Sequence, residues 1–141
     1  MANIMNILLV EDNPADARLI EEILKDTDTK NEIYVVKDGV EAMNFLNKKD
    51  EYSNTPEPVM ILLDLNLPRK DGREVLKEIK HNEQLKHIPI VILTTSSAKD
   101  DIMKTYDNYA NCYITKPVDF DQFSRVIAAI EDFWFKIVEL P

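Results

Sequence analysis

The sequence predicts an α/β fold, a doubly wound parallel sheet in a single domain, and three observations lead there. Residues 7–10, 59–63 and 88–93 are continuous apolar runs rich in Ile, Val and Leu, as strands covered on both faces require. Segments with apolar residues at helical spacing lie between them. Strand and helix patterns alternate five times along the chain, the order that builds a parallel sheet wrapped by helices.

Residues 7–10 are the first strand. Asn13-Pro14 follows as a helix start, with Asn13 as the cap and Pro14 at the first helical position. Ala17, Ile20, Ile23 and Leu24 then form one apolar stripe. Residues 33–36 give a shorter second strand, and Val40, Met43 and the pair Phe45/Leu46 mark the second helix. Residues 47–58 (NKKDEYSNTPEP) are polar and proline-bearing and read as an exposed connection. The third strand is 59–63, and Val75, Leu76 and Ile79 define the third helix. After the fourth strand, 88–93, the helical segment 100–109 is only lightly apolar, with Ile102, Met103 and Tyr106. A short fifth strand, 112–114, precedes the helix with the strongest period: Phe123, Val126, Ile127, Ile130, Phe133, Trp134 and Ile137.

Composition narrows the function. A chain of 141 residues fits one domain, with a core expected over about 6–137 and no output domain. At this length roughly two-thirds of the unfolded surface can be buried without disulfide or structural metal. The single cysteine, Cys112, excludes an internal disulfide and a cysteine-built zinc site. A formal net charge of −9 repels nucleic acid and anionic membrane surfaces. The start MANIMNILLVED lacks the form of a secretory signal, and no apolar stretch approaches the roughly 20 residues of a membrane span. The expectation is a cytoplasmic protein that binds neither nucleic acid nor membrane.

Sites in open parallel α/β sheets form at the carboxyl ends of the strands. Here the first strand ends in Glu11-Asp12, the third in Asp64 and the fourth in Thr94-Thr95, and Lys116-Pro117 follows the fifth. Parallel strands bring all of these to one rim. Carboxylates gathered there repel one another, each pair at about 4 Å by on the order of 4 kcal/mol at an effective dielectric of about 20. A divalent cation removes that repulsion, and an all-oxygen set points to Mg²⁺. A carboxylate is also a nucleophile toward phosphorus, and transfer of this kind depends on positioning and charge neutralisation. Lys116 offers a positive charge and Thr94 a hydroxyl donor.

The segments ILLVEDNPAD, LLDLNLPRKDG, VILTTS and YITKPVD resemble the successive motifs of the response-regulator receiver family, in order and spacing, over nearly the whole chain. The resemblance implies a flavodoxin-like sheet of order 2-1-3-4-5 with five helices. It implies that Asp64 is the phosphoacceptor and that Glu11, Asp12, Asp64 and the backbone carbonyl of Asn66 hold Mg²⁺. Thr94 and Lys116 match the phosphate-sensing hydroxyl and lysine, and Tyr113 the switch aromatic. The implied phosphodonor is a phosphohistidine on a sensor histidine kinase or phosphotransfer protein, and the readout a changed contact with a downstream protein. The domain would catalyse only its own phosphorylation and dephosphorylation. Asn66 and Ser96 would tune the lifetime of the phosphoryl group. The long 47–58 connection, the LTTS motif and the final FW and LP resemble single-domain regulators associated with phytochrome-type histidine kinases.

Three other readings fit these residues less well. A phosphohydrolase working through an aspartyl-phosphate carries a second aspartate two residues after the nucleophile, where Asn66 stands and cannot exchange a proton. A flavin carrier needs a Gly/Ser/Thr loop after the first strand, and EDNPAD would repel a bare phosphate. A receiver that binds its partner without phosphorylation is opposed by the complete site. Cys112, His81 and His87 are assigned no role. Phe133, Trp134 and Phe135 are consecutive, so a helix cannot turn all three to one core, which suggests a homodimer through the C-terminal region.

Overall fold

Among the described residues every helix begins at the same rim of the sheet, because all strands run one way and β1, β2, β3 and β5 each lead into a helix. The computed structural model describes residues 4–26, 30–95, 112–116 and 119–139, and of residues 131 and 133–139 the helical backbone alone. The elements are β1 (Met5–Val10), α1 (Pro14–Lys25), β2 (Asn31–Val36), α2 (Gly39–Leu46), a 3₁₀ turn (Asp50–Tyr52), β3 (Met60–Leu63), α3 (Gly72–Lys80), β4 (Ile90–Thr94), β5 (Cys112–Thr115) and α4 (Phe120–Glu139). The sheet order is β2-β1-β3-β4-β5. All four pairings are parallel, with Leu9 opposite Val35 and Leu62, Leu63 opposite Ile92, and Thr94 opposite Thr115. The order matches the flavodoxin-like arrangement. The described residues hold four α-helices. The expected helix over 100–109, like Ser96, lies outside them.

Alternation along the strands divides the apolar side chains between two faces. Leu8, Val10, Ile61, Leu63, Ile90 and Ile92 pack with α2 and α3. Ile7, Leu9, Met60, Leu62, Val91 and Leu93 pack with α1 and with Phe123 and Ile127 of α4. Side chains so fully buried contribute about 1.5–3 kcal/mol each. The three continuous apolar runs are the central strands, whereas the edge strand β2 is mixed, with Val35 exposed. The stripe Ala17, Ile20, Ile23 and Leu24 is buried as a unit, as are Val75, Leu76 and Ile79. In α2 the expected Val40 is only half-buried and Ala42 is fully covered instead.

Each of the four described helix starts is closed by an Asn or Asp side chain. The Oδ1 of Asn13 accepts from the amides of Ala15 and Asp16, and that of Asp38 from Glu41 N at 2.8 Å. Asp71 Oδ2 accepts from Arg73 N, and Asp119 Oδ1 from Gln122 N. Caps of this type contribute about 1 kcal/mol apiece.

The connection 47–58 is mostly exposed, as the sequence suggested, but Tyr52 turns inward. Tyr52 packs its ring 5.4 Å from Phe45, which lies 5.5 Å from Tyr34, and its hydroxyl donates to Glu41. An aromatic in a polar loop has thus found the apolar edge of α2.

Candidate functional site

The rim gathers charge into a small volume. Glu11 follows β1 directly and is buried, Asp64 follows β3 and is buried, and Asp12 is exposed. One carboxylate oxygen from each of these three lies within 4.8 Å of the other two. Thr94 ends β4 and is inaccessible to solvent. Lys116 follows β5, its backbone N–H donating to the Thr94 carbonyl at 2.8 Å. That bond ties the lysine's backbone to the end of β4. Its side chain turns inward, only 7% exposed, and the ammonium donates to Asp64 Oδ2 at 3.1 Å, to Asp16 Oδ2 at 3.0 Å and to Glu11 Oε1.

Three carboxylates therefore surround one ammonium, with Asp12 beside two of them, a surplus of negative charge at a partly buried site. Burial pushes the Glu11 carboxyl up to about 7, aided by the charge of Asp64 and opposed by the bond from Lys116 and by the Asn13 amide. For Lys116 burial works downward, but the bonds to Glu11 and Asp16 and the charges of Asp64 and Glu11 outweigh it and raise the group above its usual range. The lysine stays charged. The hard, all-oxygen donor set of Glu11, Asp12 and Asp64 fits a divalent cation that keeps several waters and takes a couple of carboxylates.

The segment from Asp64 to Gly72 is held from several sides. Asn66 N donates to Asp64 Oδ1 at 3.0 Å, and Asn66 Nδ2 to Thr94 Oγ1 at 3.3 Å, so one asparagine spans β3 and β4. The chain contains only two glycines, and both touch this segment. A Cβ on Gly72 would stand 2.2 Å from the Asp64 carbonyl oxygen, and one on Gly39 2.2 Å from that of Lys70. No side chain fits at either position. Arg69 adopts φ 65°, the left-handed region, and its guanidinium reaches Asp38 Oδ2 at 3.2 Å.

The structure thus brings Glu11, Asp12, Asp64, Thr94, Asn66 and Lys116 to one rim. Tyr113 stands slightly apart: it is half-buried on β5, opposite Ile92 and so two residues back from Thr94, and packs against the core beneath α2 and α3. Cys112 is half-buried, and burial pushes its thiol upward. His81 and His87 are exposed. The side chains of Phe133, Trp134 and Phe135, on which the dimer expectation rests, lie outside the described residues. Sequence reasoning missed Asp16 and the Asp38–Arg69 pair. Asp16 was legible in principle, because it falls in the first turn after the Asn13-Pro14 helix start and so beside the same rim. The Asp38–Arg69 pair joins loops 31 residues apart, and nothing local signals it.

These features are those of a receiver domain, and the chain belongs to that family: residues 7–128 match the model for the response regulator receiver domain. Among individual proteins, it is 50% identical over 135 residues to the response regulator Rcp1 of Synechocystis sp., covering 96% of this chain and 92% of that protein. The crystal structure of Rcp1 in its Mn²⁺-bound form superposes with a TM-score of 0.81 at 50% identity, covering 97% of this chain and 99% of that one. The structure of the phosphorylated cyanobacterial phytochrome response regulator RcpA gives 0.83, also at 50% identity, with 99% of both chains covered. The protein is a response regulator receiver domain of two-component signal transduction whose acidic rim fits a divalent metal. No helix among the described residues is long and apolar enough to cross a membrane.

Proposed function

We propose that the protein is a phosphoaspartate switch in which Asp64 accepts a phosphoryl group. The observation that carries this reading is the single contact zone in which Asp64 meets both the Glu11/Asp12 pair and the Lys116 ammonium. An Asp64 carboxylate oxygen attacks the phosphorus of a phosphohistidine. A P–O bond forms, the P–N bond breaks, and the imidazole leaves with the electron pair and takes up a proton. Glu11, Asp12, Asp64 and the backbone carbonyl of Asn66 would hold Mg²⁺, which would supply neutralising charge for the phosphoryl oxygens. Lys116 stabilises the same oxygens, and Thr94, now held by Asn66 Nδ2, turns its hydroxyl to them. Tyr113, two residues back along the adjoining strand, follows the vacated space, and the β4–β5 surface takes a second arrangement. The chain acts as a single domain over 1–141. It catalyses only its own phosphorylation and dephosphorylation, and signals through a downstream protein.

The donor is a sensor histidine kinase or phosphotransfer protein, of the phytochrome type. The likeness to the phosphorylated RcpA structure supports that choice. Such a role places the protein in the cytoplasm, and its acidic surface keeps it off nucleic acid and membranes.

The test is incubation with Mg²⁺ and acetyl phosphate followed by intact mass. One labile phosphoryl group is expected on the wild type, and none on Asp64→Asn or in EDTA. Persistence of the adduct on Asp64→Asn would sink the assignment of the phosphoacceptor. Phosphorylation by a phosphohistidine donor but not by acetyl phosphate would restrict the protein to its kinase.

A further inference from the structure

Lys116 has three ammonium protons, and the structure gives it three carboxylates: Glu11, Asp16 and Asp64. In the phosphoaspartate reading, on which this inference rests, two of them have other work. Asp64 becomes the phosphoryl ester, and Glu11 belongs to the acidic set that faces a divalent cation. Asp16 is in neither role. It sits in the first turn of α1, where its own amide is capped by Asn13 Oδ1 at 3.2 Å, so its backbone is fixed independently of any cation. The backbone of Lys116 is tied on the far side, to the Thr94 carbonyl. Between these two points runs a flexible four-carbon stem, which loses its freedom only if its tip is held.

We propose that Asp16 is a positioning residue for Lys116. It keeps the ammonium beside Asp64 while Glu11 and Asp64 engage their own partners, and thereby sets the rate at which the phosphoryl group is taken up. Asp16 is outside the acidic set Glu11, Asp12 and Asp64 and is not the residue that takes the phosphoryl group. Its side chain is 37% exposed, so replacing it leaves no cavity and an isosteric amide fits in the folded protein.

The experiment compares the full-length wild type, Asp16→Asn and Asp16→Glu in phosphorylation by acetyl phosphate, followed by intact mass over a Mg²⁺ titration. Asp16→Asn is expected to be about fivefold slower at saturating Mg²⁺, because a displaced charge is lost from the transition state. Asp16→Glu is expected to stay within about twofold. A companion measurement needs no reaction. In ¹H–¹⁵N spectra of the metal-free protein, the Lys116 ammonium signal should be protected in the wild type, broadened by exchange in Asp16→Asn and recovered in Asp16→Glu. A rate for Asp16→Asn equal to wild type at saturating Mg²⁺ overturns the positioning role, whatever happens to the Mg²⁺ midpoint. So does slowing with an unchanged Lys116 signal, since Asp16 would then act through its charge alone. A wild type that gains no phosphoryl group from acetyl phosphate or from a phosphohistidine donor overturns the phosphoaspartate reading itself, and the positioning role with it.

Discussion

Two carboxylate–cation contacts sit at the same rim, and they are built on opposite plans. Asp38 and Arg69 form a balanced pair, one charge against one, with the arginine 61% exposed and its partner nearly buried. Lys116 is 7% exposed and faces Glu11, Asp16 and Asp64 together, with Asp12 alongside. The balanced pair shapes a loop and needs nothing further. The unbalanced group is stable only while something positive remains in it, which is the property a metal- and phosphate-handling site requires. The contrast predicts that perturbing the first alters stability a little, whereas perturbing the second alters stability strongly and in a metal-dependent way.

The largest effect is expected from Lys116→Met measured in EDTA at pH 8. Removing the cation leaves the surrounding carboxylates unopposed at a partly buried site, at a loss of about 3–5 kcal/mol. Urea denaturation should show the loss, and saturating Mg²⁺ should restore most of it. If the variant were as stable as wild type without metal, the carboxylate cluster would not be under charge strain, and the contrast with Asp38–Arg69 would collapse.

Next comes a pH dependence. The Glu11 carboxyl is raised from 4.5 to about 7, chiefly by burial, so the folded protein holds that proton more tightly than the unfolded chain. Its contribution to stability is therefore fully present below pH 4.5 and is lost as pH rises through about 7. Relative to Glu11→Gln, metal-free wild type should lose on the order of 2–3 kcal/mol across that window. Mg²⁺ favours the ionised form and should flatten or reverse the trend. A difference that stays constant from pH 4.5 to 8 in EDTA would show that Glu11 is not strained by its burial. Lys116 is raised as well, so its own contribution fades only in strongly alkaline solution and does not enter this window.

On the balanced side, Asp38→Ala removes both the α2 cap to Glu41 N and the partner of Arg69. The expected loss is about 1–2 kcal/mol, mostly from the cap, and it should be the same with and without Mg²⁺. A loss that Mg²⁺ repaired would mean that this pair belongs to the metal site after all.

How much of this was legible in the sequence follows the same division. The central strands announced themselves because parallel strands are covered on both faces and read as unbroken Ile/Val/Leu runs. The positions of Glu11, Asp12, Asp64, Thr94 and Lys116 followed from strand ends converging on a rim. Asp38, by contrast, looks like any polar residue before a helix, and Arg69 like any loop cation. Their pairing depends on how β2 and β3, neighbours of β1 on opposite sides, bring their following loops together. The two glycines were equally silent, since a close approach to a carbonyl leaves no mark beyond the residue itself. Tyr52 was hidden because the loop around it is polar, while the ring it packs on, Phe45, belongs to α2 and itself packs on Tyr34.

The smallest effect is expected where two terms nearly cancel. Arg69 holds a left-handed backbone at φ 65°, which disfavours a side-chain-bearing residue by roughly 1 kcal/mol, and an exposed ion pair returns about 0–1 kcal/mol. Arg69→Gly removes the strain and the pair together but gives the unfolded chain more freedom, by roughly 0.5–1 kcal/mol. The net change in stability should lie within about 0.5 kcal/mol of zero. Phosphorylation is the sharper readout. The loop that Arg69 fastens carries Asn66, whose side chain holds the Thr94 hydroxyl, so loosening it should move the adduct's lifetime more than the fold's stability. An unchanged lifetime would leave Gly39 and Gly72, the two close approaches to the backbone of this segment, as sufficient to hold Asp64 and Asn66 in place.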